Sequence, residues 1–197
     1  MPLGAFKAAL MGTAGVSAGA DVVLLSTQTA SGSASLDFTS GITSTYGEYI
    51  FKFYNINPAL ASAAHFTFNG SSDGGSNYNV TKTTTWLYAY HGEDDGGGAL
   101  GYHGDYDLAE STDYHNISRA VDDASDGGTS GELHLFNPSS TTYAKHFYST
   151  SQTMNEDNYS LNGYTAGYFN TTSAIDAVSF KFPSDNFDGK IKMWGVK

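Results

Sequence analysis

Two stretches of this chain place an imidazole beside carboxylates. They are Tyr90-His91-Gly92-Glu93-Asp94-Asp95 and, twelve residues on, Tyr102-His103-Gly104-Asp105-Tyr106-Asp107. Ring nitrogens and carboxylate oxygens are the donors that divalent cations take. His91, Asp94, His103 and Asp105 are therefore the candidate metal ligands, with Ca2+ the ion considered and no other cofactor expected. Neither copy has the spacing of an EF-hand loop or of the two-histidine zinc helix. The competing reading is a pair of acidic, solvated turns at a loop tip, the commoner fate of such segments.

A second group could bind without reacting. Trp86, Tyr88 and Tyr90 alternate with Leu87 and Ala89, so in a strand the three rings share one face. Rings on an open sheet face stack on sugars, because a flat apolar surface desolvates well there. Trp86, Tyr88, Tyr90 and Tyr102 are the ligand-binding candidates, and core packing is the more common use of such a stripe.

Catalytic machinery is not legible. The chain has no cysteine, no G-x-S-x-G elbow and no S-x-x-K pair, and His115, His134 and His146 stand in plain strand or loop contexts. Paired carboxylates for glycoside hydrolysis must face each other across a cleft, which spacing does not establish. No enzyme is expected. Ser71-Ser72-Asp73-Gly74-Gly75-Ser76-Asn77-Tyr78 nearly matches the Asp-box S-x-D-x-G-x-T-W, a turn device that implies a β-hairpin and no chemistry. Sequons at Asn69, Asn79, Asn116, Asn158 and Asn170 follow from a composition rich in Ser, Thr and Asn.

The segments that must position these residues read as short strands. Glu48–Tyr54 puts Tyr49, Phe51 and Phe53 in phase, and His65–Phe68 repeats the alternation. Val22–Gln28, Thr83–His91, Glu132–Phe136, Tyr143–Ser149, Tyr164–Asn170, Ile175–Phe182 and Lys190–Val196 complete about nine strands. Gly- and Asp-rich turns separate them. The expected fold is a single-domain all-β sandwich of jelly-roll type over 21–197, with a short arm or helix over 1–20. Leu3, Phe6 and Leu10 recur there at helical spacing as assembly candidates. That opening segment has an Ala-Gly-Ala end, but Gly12 and Gly15 break its apolar run, so a cleaved leader is not expected.

Bulk chemistry narrows the partners. The formal charge is −11, from 9 basic and 20 acidic residues, with no basic cluster to neutralise phosphates. Nucleic acid and anionic membranes are excluded as expected partners, and no run is long enough to insert into a bilayer.

The opening MPLGAFKAALMGTAGVS, the strand EYIFKFYNI with the later HFTFNGSSDGGSNY, and the close TTSAIDAVSFKFPSDNFDGKIKMWGVK resemble virion-associated proteins of marine bacteriophages, cyanophage and pelagiphage types among them. The close is the most specific part: a strand, a turn of the S-x-x-[FI]-x-x-G kind, and a terminal strand ending aromatic-Gly-aliphatic-Lys. The likeness covers the first 80 or so residues and the last 35 or so, and the tandem His-acidic loop falls outside it. It implies a non-enzymatic structural protein at the surface of a virion, a tail-fibre or appendage module or else a capsid-decorating protein. The implied partners are its own copies (a homotrimer), other virion proteins, and a host surface glycan or protein. A secreted carbohydrate-binding domain or small glycan-active enzyme is the alternative of another class. The loops Gly70–Asn77 and Gly92–Glu110 are the expected partner-facing edge.

Overall fold

The computed structural model describes residues 21–59 and 64–197. The expected arm or helix over 1–20, with Leu3, Phe6 and Leu10, lies outside the described residues. The described residues form twelve strands. These are β1 Val22–Ser33, β2 Leu36–Phe38, β3 Glu48–Pro58, β4 Ala64–Ser71, β5 Lys82–Gly92, β6 Gly98–Tyr102, β7 His115–Val121, β8 Gly128–Phe136, β9 Lys145–Asn155, β10 Tyr159–Phe169, β11 Ala177–Lys181 and β12 Phe187–Val196. A 3-10 turn at Gly104–Tyr106 is their only helical element.

All named pairings are antiparallel and fall into two facing rows. The long row runs β1-β12-β3-β8-β9-β10-β5-β6 and the short row β2-β11-β4-β7. On one side the rows are joined by the bridge between Val121 and Asn155, flanked by Asp122 N to Met154 O and Glu156 N to Ala120 O at 3.1 Å each. On the other, Gln28 Nε2 donates to Asp37 O at 2.9 Å, from β1 to β2. The sheet is thus nearly closed, in a barrel-like arrangement around one interior.

The reason is the alternation itself. Tyr49, Phe51 and Phe53 of β3 point inward to meet Phe66 and Phe68 of β4, Phe180 of β11, and Phe182 and Phe187 beyond it, each at most 2% exposed. Their rings interlock edge to face, Phe53 on Phe66 at 5.5 Å and Phe68 on Phe147 at 4.9 Å. Burying one such side chain contributes roughly 1.5–3 kcal/mol, so this cluster dominates the stability of the fold.

Three strands lie outside the nine expected. β2 is too short to show a period, β6 (Gly98-Ala-Leu-Gly-Tyr102) looks like loop because of its glycines, and β7 turns His115 and Ser118 inward in place of apolar residues. The segment Gly92–Glu110 is therefore not all loop, since it contains β6. The Asp-box-like turn is not a hairpin either. It links β4, paired with β7 and β11, to β5, paired with β10 and β6. The turn is nevertheless self-contained. Asp73 Oδ1 accepts from Ser71 Oγ at 2.7 Å and Asn77 N at 2.9 Å, and the Asn77 and Ser71 side-chain bonds pull its carboxyl down to about 2. Tyr78 packs where a Cβ on Gly75 would sit 2.9 Å from its hydroxyl.

The hairpin β5–β6 is inserted between β4 and β7, and β9–β10 between β8 and β11. Together they extend the long row past β8, and every candidate side chain named above in 86–105 sits on that extension.

Candidate functional site

On the inner face of the extension the strand period stacks Trp86, Tyr88 and Tyr90 into a ladder. Trp86 lies 5.8 Å from Tyr88 at 30°, Tyr88 6.0 Å from Tyr90 at 20°, and Tyr90 4.9 Å from Tyr159 of β10. The chain leaving β6 folds back over the inner end, where His103 and Tyr106 contact one another at 4.4 Å and both touch Trp86. Trp86 is buried completely, so it is a floor for the other rings and is corrected from the ligand-contacting set. Tyr88, Tyr90 and Tyr159 remain half-buried. Tyr102 stands in register with Leu87, hence on the opposite, outer face, and its hydroxyl donates to Asp107 Oδ2. It does not belong to the ladder.

The four metal candidates are not brought together. His91 is on the outer face near the hairpin tip, with Nε2 3.3 Å from Asp95 Oδ1, both side chains well exposed. His103 is on the inner face against Trp86, and its backbone N–H donates to Trp86 O at 3.1 Å. Five residues of strand separate the two levels, roughly 16 Å at ~3.3 Å each. Asp94 Oδ1 accepts from Gly96 N at 2.8 Å, closing its own turn, and Asp105 lies on the 3-10 turn. Among the described residues no group of three or more His, Cys, Asp or Glu is placed to share an ion.

Three residues that spacing did not reveal complete the two ends of the ladder. His65 of β4 meets Tyr106 at 5.0 Å and accepts at Nδ1 from Ala120 N at 3.0 Å. Burial, then the charges of Arg119 and His103, hold its ring below the usual value. Arg119 of β7 places its guanidinium 5.3 Å above Tyr106, and Tyr159 caps the outer end. Arg119 carried one signal in the sequence, being the sole arginine in the chain.

Behind the ladder the extension meets β7 through a polar seam in place of an apolar one. Ser118 Oγ, Thr129 Oγ1 and Thr153 Oγ1 form a triangle at 2.8, 2.5 and 2.9 Å. His115 has Thr84 Oγ1 at 3.1 Å from Nδ1 and Thr165 Oγ1 at 3.3 Å from Nε2. Burial, then nearby Lys82, push its ring down to about 3. Lys82 Nζ donates to Val80 O at 3.2 Å and to Asp113 O, and burial lowers its pKa to about 8. Each of these hydroxyls, the imidazole and the ammonium is held by a neutral partner inside the fold, an arrangement that builds structure. Gly163 is required here, since a Cβ would lie 2.9 Å from Ser151 Oγ and 3.2 Å from Trp86 Cζ2.

The outer face of the long row is different again. Leu87, Leu100, Tyr102 and Tyr164 are 43%, 79%, 58% and 48% exposed, and Tyr102, Leu87 and Tyr164 lie in one register row. Farther along, Tyr148 stacks on His134 at 4.4 Å and 12°. The ring of His134 sits between Glu48 Oε1, 2.5 Å from Nδ1, and Glu132 Oε1, 3.2 Å from Nε2. Burial raises the Glu132 carboxyl, but His134 and Lys52 together outweigh it and leave the pKa lowered. Of the sequons, Asn69 is buried, donating to Tyr78 O at 2.7 Å and Thr112 O at 2.9 Å, so no glycan fits there in the folded chain.

Fold and site together define an all-β, antiparallel, barrel-like protein with an aromatic ladder on one face of an inserted extension. Comparison with protein-family models, with curated proteins and with solved structures finds no match.

Proposed function

We propose that this chain is a non-enzymatic module displayed on a bacteriophage particle, a tail-fibre or appendage element contacting host or neighbouring virion proteins and associating with its own copies as a trimer. The observation that carries the reading is the outer face of the extension. Leu87, Leu100, Tyr102 and Tyr164 form a contiguous apolar surface on the outer side of the inserted hairpins, and exposed apolar surface of this kind marks contact with a partner. The strand order supports it. Setting the inserted hairpins aside, the rows β1-β12-β3-β8 and β2-β11-β4-β7 nest as two rolled Greek keys do, the arrangement of a jelly roll, which capsid and lectin domains share.

The test is a quantitative mass-spectrometric inventory of purified particles. A few copies to a few tens per particle supports a tail element. Hundreds would reassign the chain to capsid decoration, and absence from particles would refute the reading.

A further inference from the structure

Arg119 is the only arginine in a chain of net charge −11. Among the described residues no carboxylate lies within salt-bridge distance of it, and its Nε is buried without a hydrogen-bond partner. A guanidinium does not deprotonate in a protein, so this half-buried group stays charged. Leaving a buried cation unpaired is costly unless something else meets it. The Tyr106 face, 5.3 Å away, offsets part of that cost but fills none of the five N–H donors. His65 supplies no negative charge and His103 is a neighbour of the same kind. An external anion would supply the charge that these neighbours do not.

From that point the ring contacts run outward without a break. Tyr106 touches His103, His103 lies 6.0 Å from Tyr88, and Tyr88, Tyr90 and Tyr159 follow at 6.0 and 4.9 Å. Half-buried tyrosines stacked in series offer flat faces edged by hydroxyls, which suits the apolar faces and hydroxyl rims of sugar rings. At the far end the charge reverses. Glu93, Asp94 and Asp157 border the cleft that Tyr159 lines, so a second anion there would be repelled.

We propose that this track binds a sparsely charged acidic oligosaccharide, with one carboxylate on Arg119 and neutral sugar rings laid along Tyr88, Tyr90 and Tyr159. The proposal deepens the display reading by naming a ligand class, and it rests on that reading.

The test is a titration of isotope-labelled full-length protein followed by NMR. The probes are 3′-sialyllactose, its methyl ester, lactose and a heparin tetrasaccharide. The acid should shift resonances of Arg119, Trp86, Tyr88 and Tyr90. The ester and lactose should bind at least about tenfold more weakly, the fold-change expected for losing a charge-assisted hydrogen bond. Heparin, with charge along its whole length, should bind more weakly than the sialyl probe. Arg119→Gln should weaken the acid about tenfold and leave lactose unchanged, and Tyr90→Ala should weaken both. The ester comparison decides the matter if Arg119→Gln does not fold. Equal affinity for acid and ester, no shifts from any probe, or shifts confined to the outer face would each overturn the proposal. A failed titration leaves the particle inventory standing, and absence from particles leaves the titration standing.

Discussion

The two halves of the long row are built from the same strand geometry and filled in opposite ways. Where β12, β3 and β8 face the short row, the space is packed with Phe51, Phe53, Phe66, Phe180 and Phe187, none more than 1% exposed. Where β9, β10 and β5 curl over β7, the space holds hydroxyls, an imidazole and a lysine beside Phe147, Phe169 and Trp86, and then opens to half-buried tyrosines. The first region gains its stability from area removed from water and tolerates no gap. The second mixes the burial of Trp86, Phe147, Leu161 and Phe169 with polar groups, and depends as well on its hydroxyls, imidazole and lysine keeping partners. The difference separates specifying the fold from presenting a surface.

The most damaging way to probe that contrast is to open the dry half. Phe66 touches Phe53, Phe180, Phe182 and Phe187, so Phe66→Ala should cost roughly 3–5 kcal/mol, read from urea unfolding. If that change spared the dry half and loosened only the extension, the division would be wrong.

Acid should attack the other half first. The ring of His115 is held down to about 3 against an ordinary 6.5, so between those values the unfolded chain binds a proton that the folded chain does not. Stability is therefore full above about 6.5 and falls as pH drops toward 3, at about 1.4 kcal/mol per pH unit for this group. Glu132, lowered by His134 and Lys52, adds acid loss of the same sign. Chemical denaturation across that window checks the slope, and His115→Leu should flatten it.

A smaller effect is expected inside the seam. Thr153→Val leaves the hydroxyls of Ser118 and Thr129 to each other, costing about 1–2 kcal/mol in thermal unfolding. A neutral result would mean the triangle contributes little. The smallest change belongs to the outer face. Leu100→Ser should stay within about 0.5 kcal/mol of the parent while weakening self-association in sedimentation experiments. Unfolding by this change would place Leu100 in the core.

Much of the dry half was legible, because large apolar residues recur every second position in β3, β4 and β12. The extension was half legible. The period of β5 gave its shared ring face, yet nothing local said that Trp86 would be roofed by His103 and Tyr106 while Tyr102 turned away. β7 was invisible since polar His115 and Ser118 are buried alongside Ile117 and Val121, and Ala120 adopts a positive φ of 45°, breaking the alternation. The grouping of His65, Arg119 and Tyr106 depends on strands far apart in sequence, so spacing carried no trace of it. The tandem His-acidic repeat was a real pattern in the letters, but a hairpin sends its copies to different levels and different sides.

The hairpin β5–β6 leaves and rejoins the short row at the neighbouring strands β4 and β7, β9–β10 runs from β8 of the long row to β11 of the short row, and both carry their turns (Glu93–Gly97 and Glu156–Asn158) at the far tip. A substitution, insertion or deletion in those turns leaves the phenylalanine packing untouched. The tips are therefore free to diversify rapidly under selection, as in a key whose bit is recut while its shank is kept.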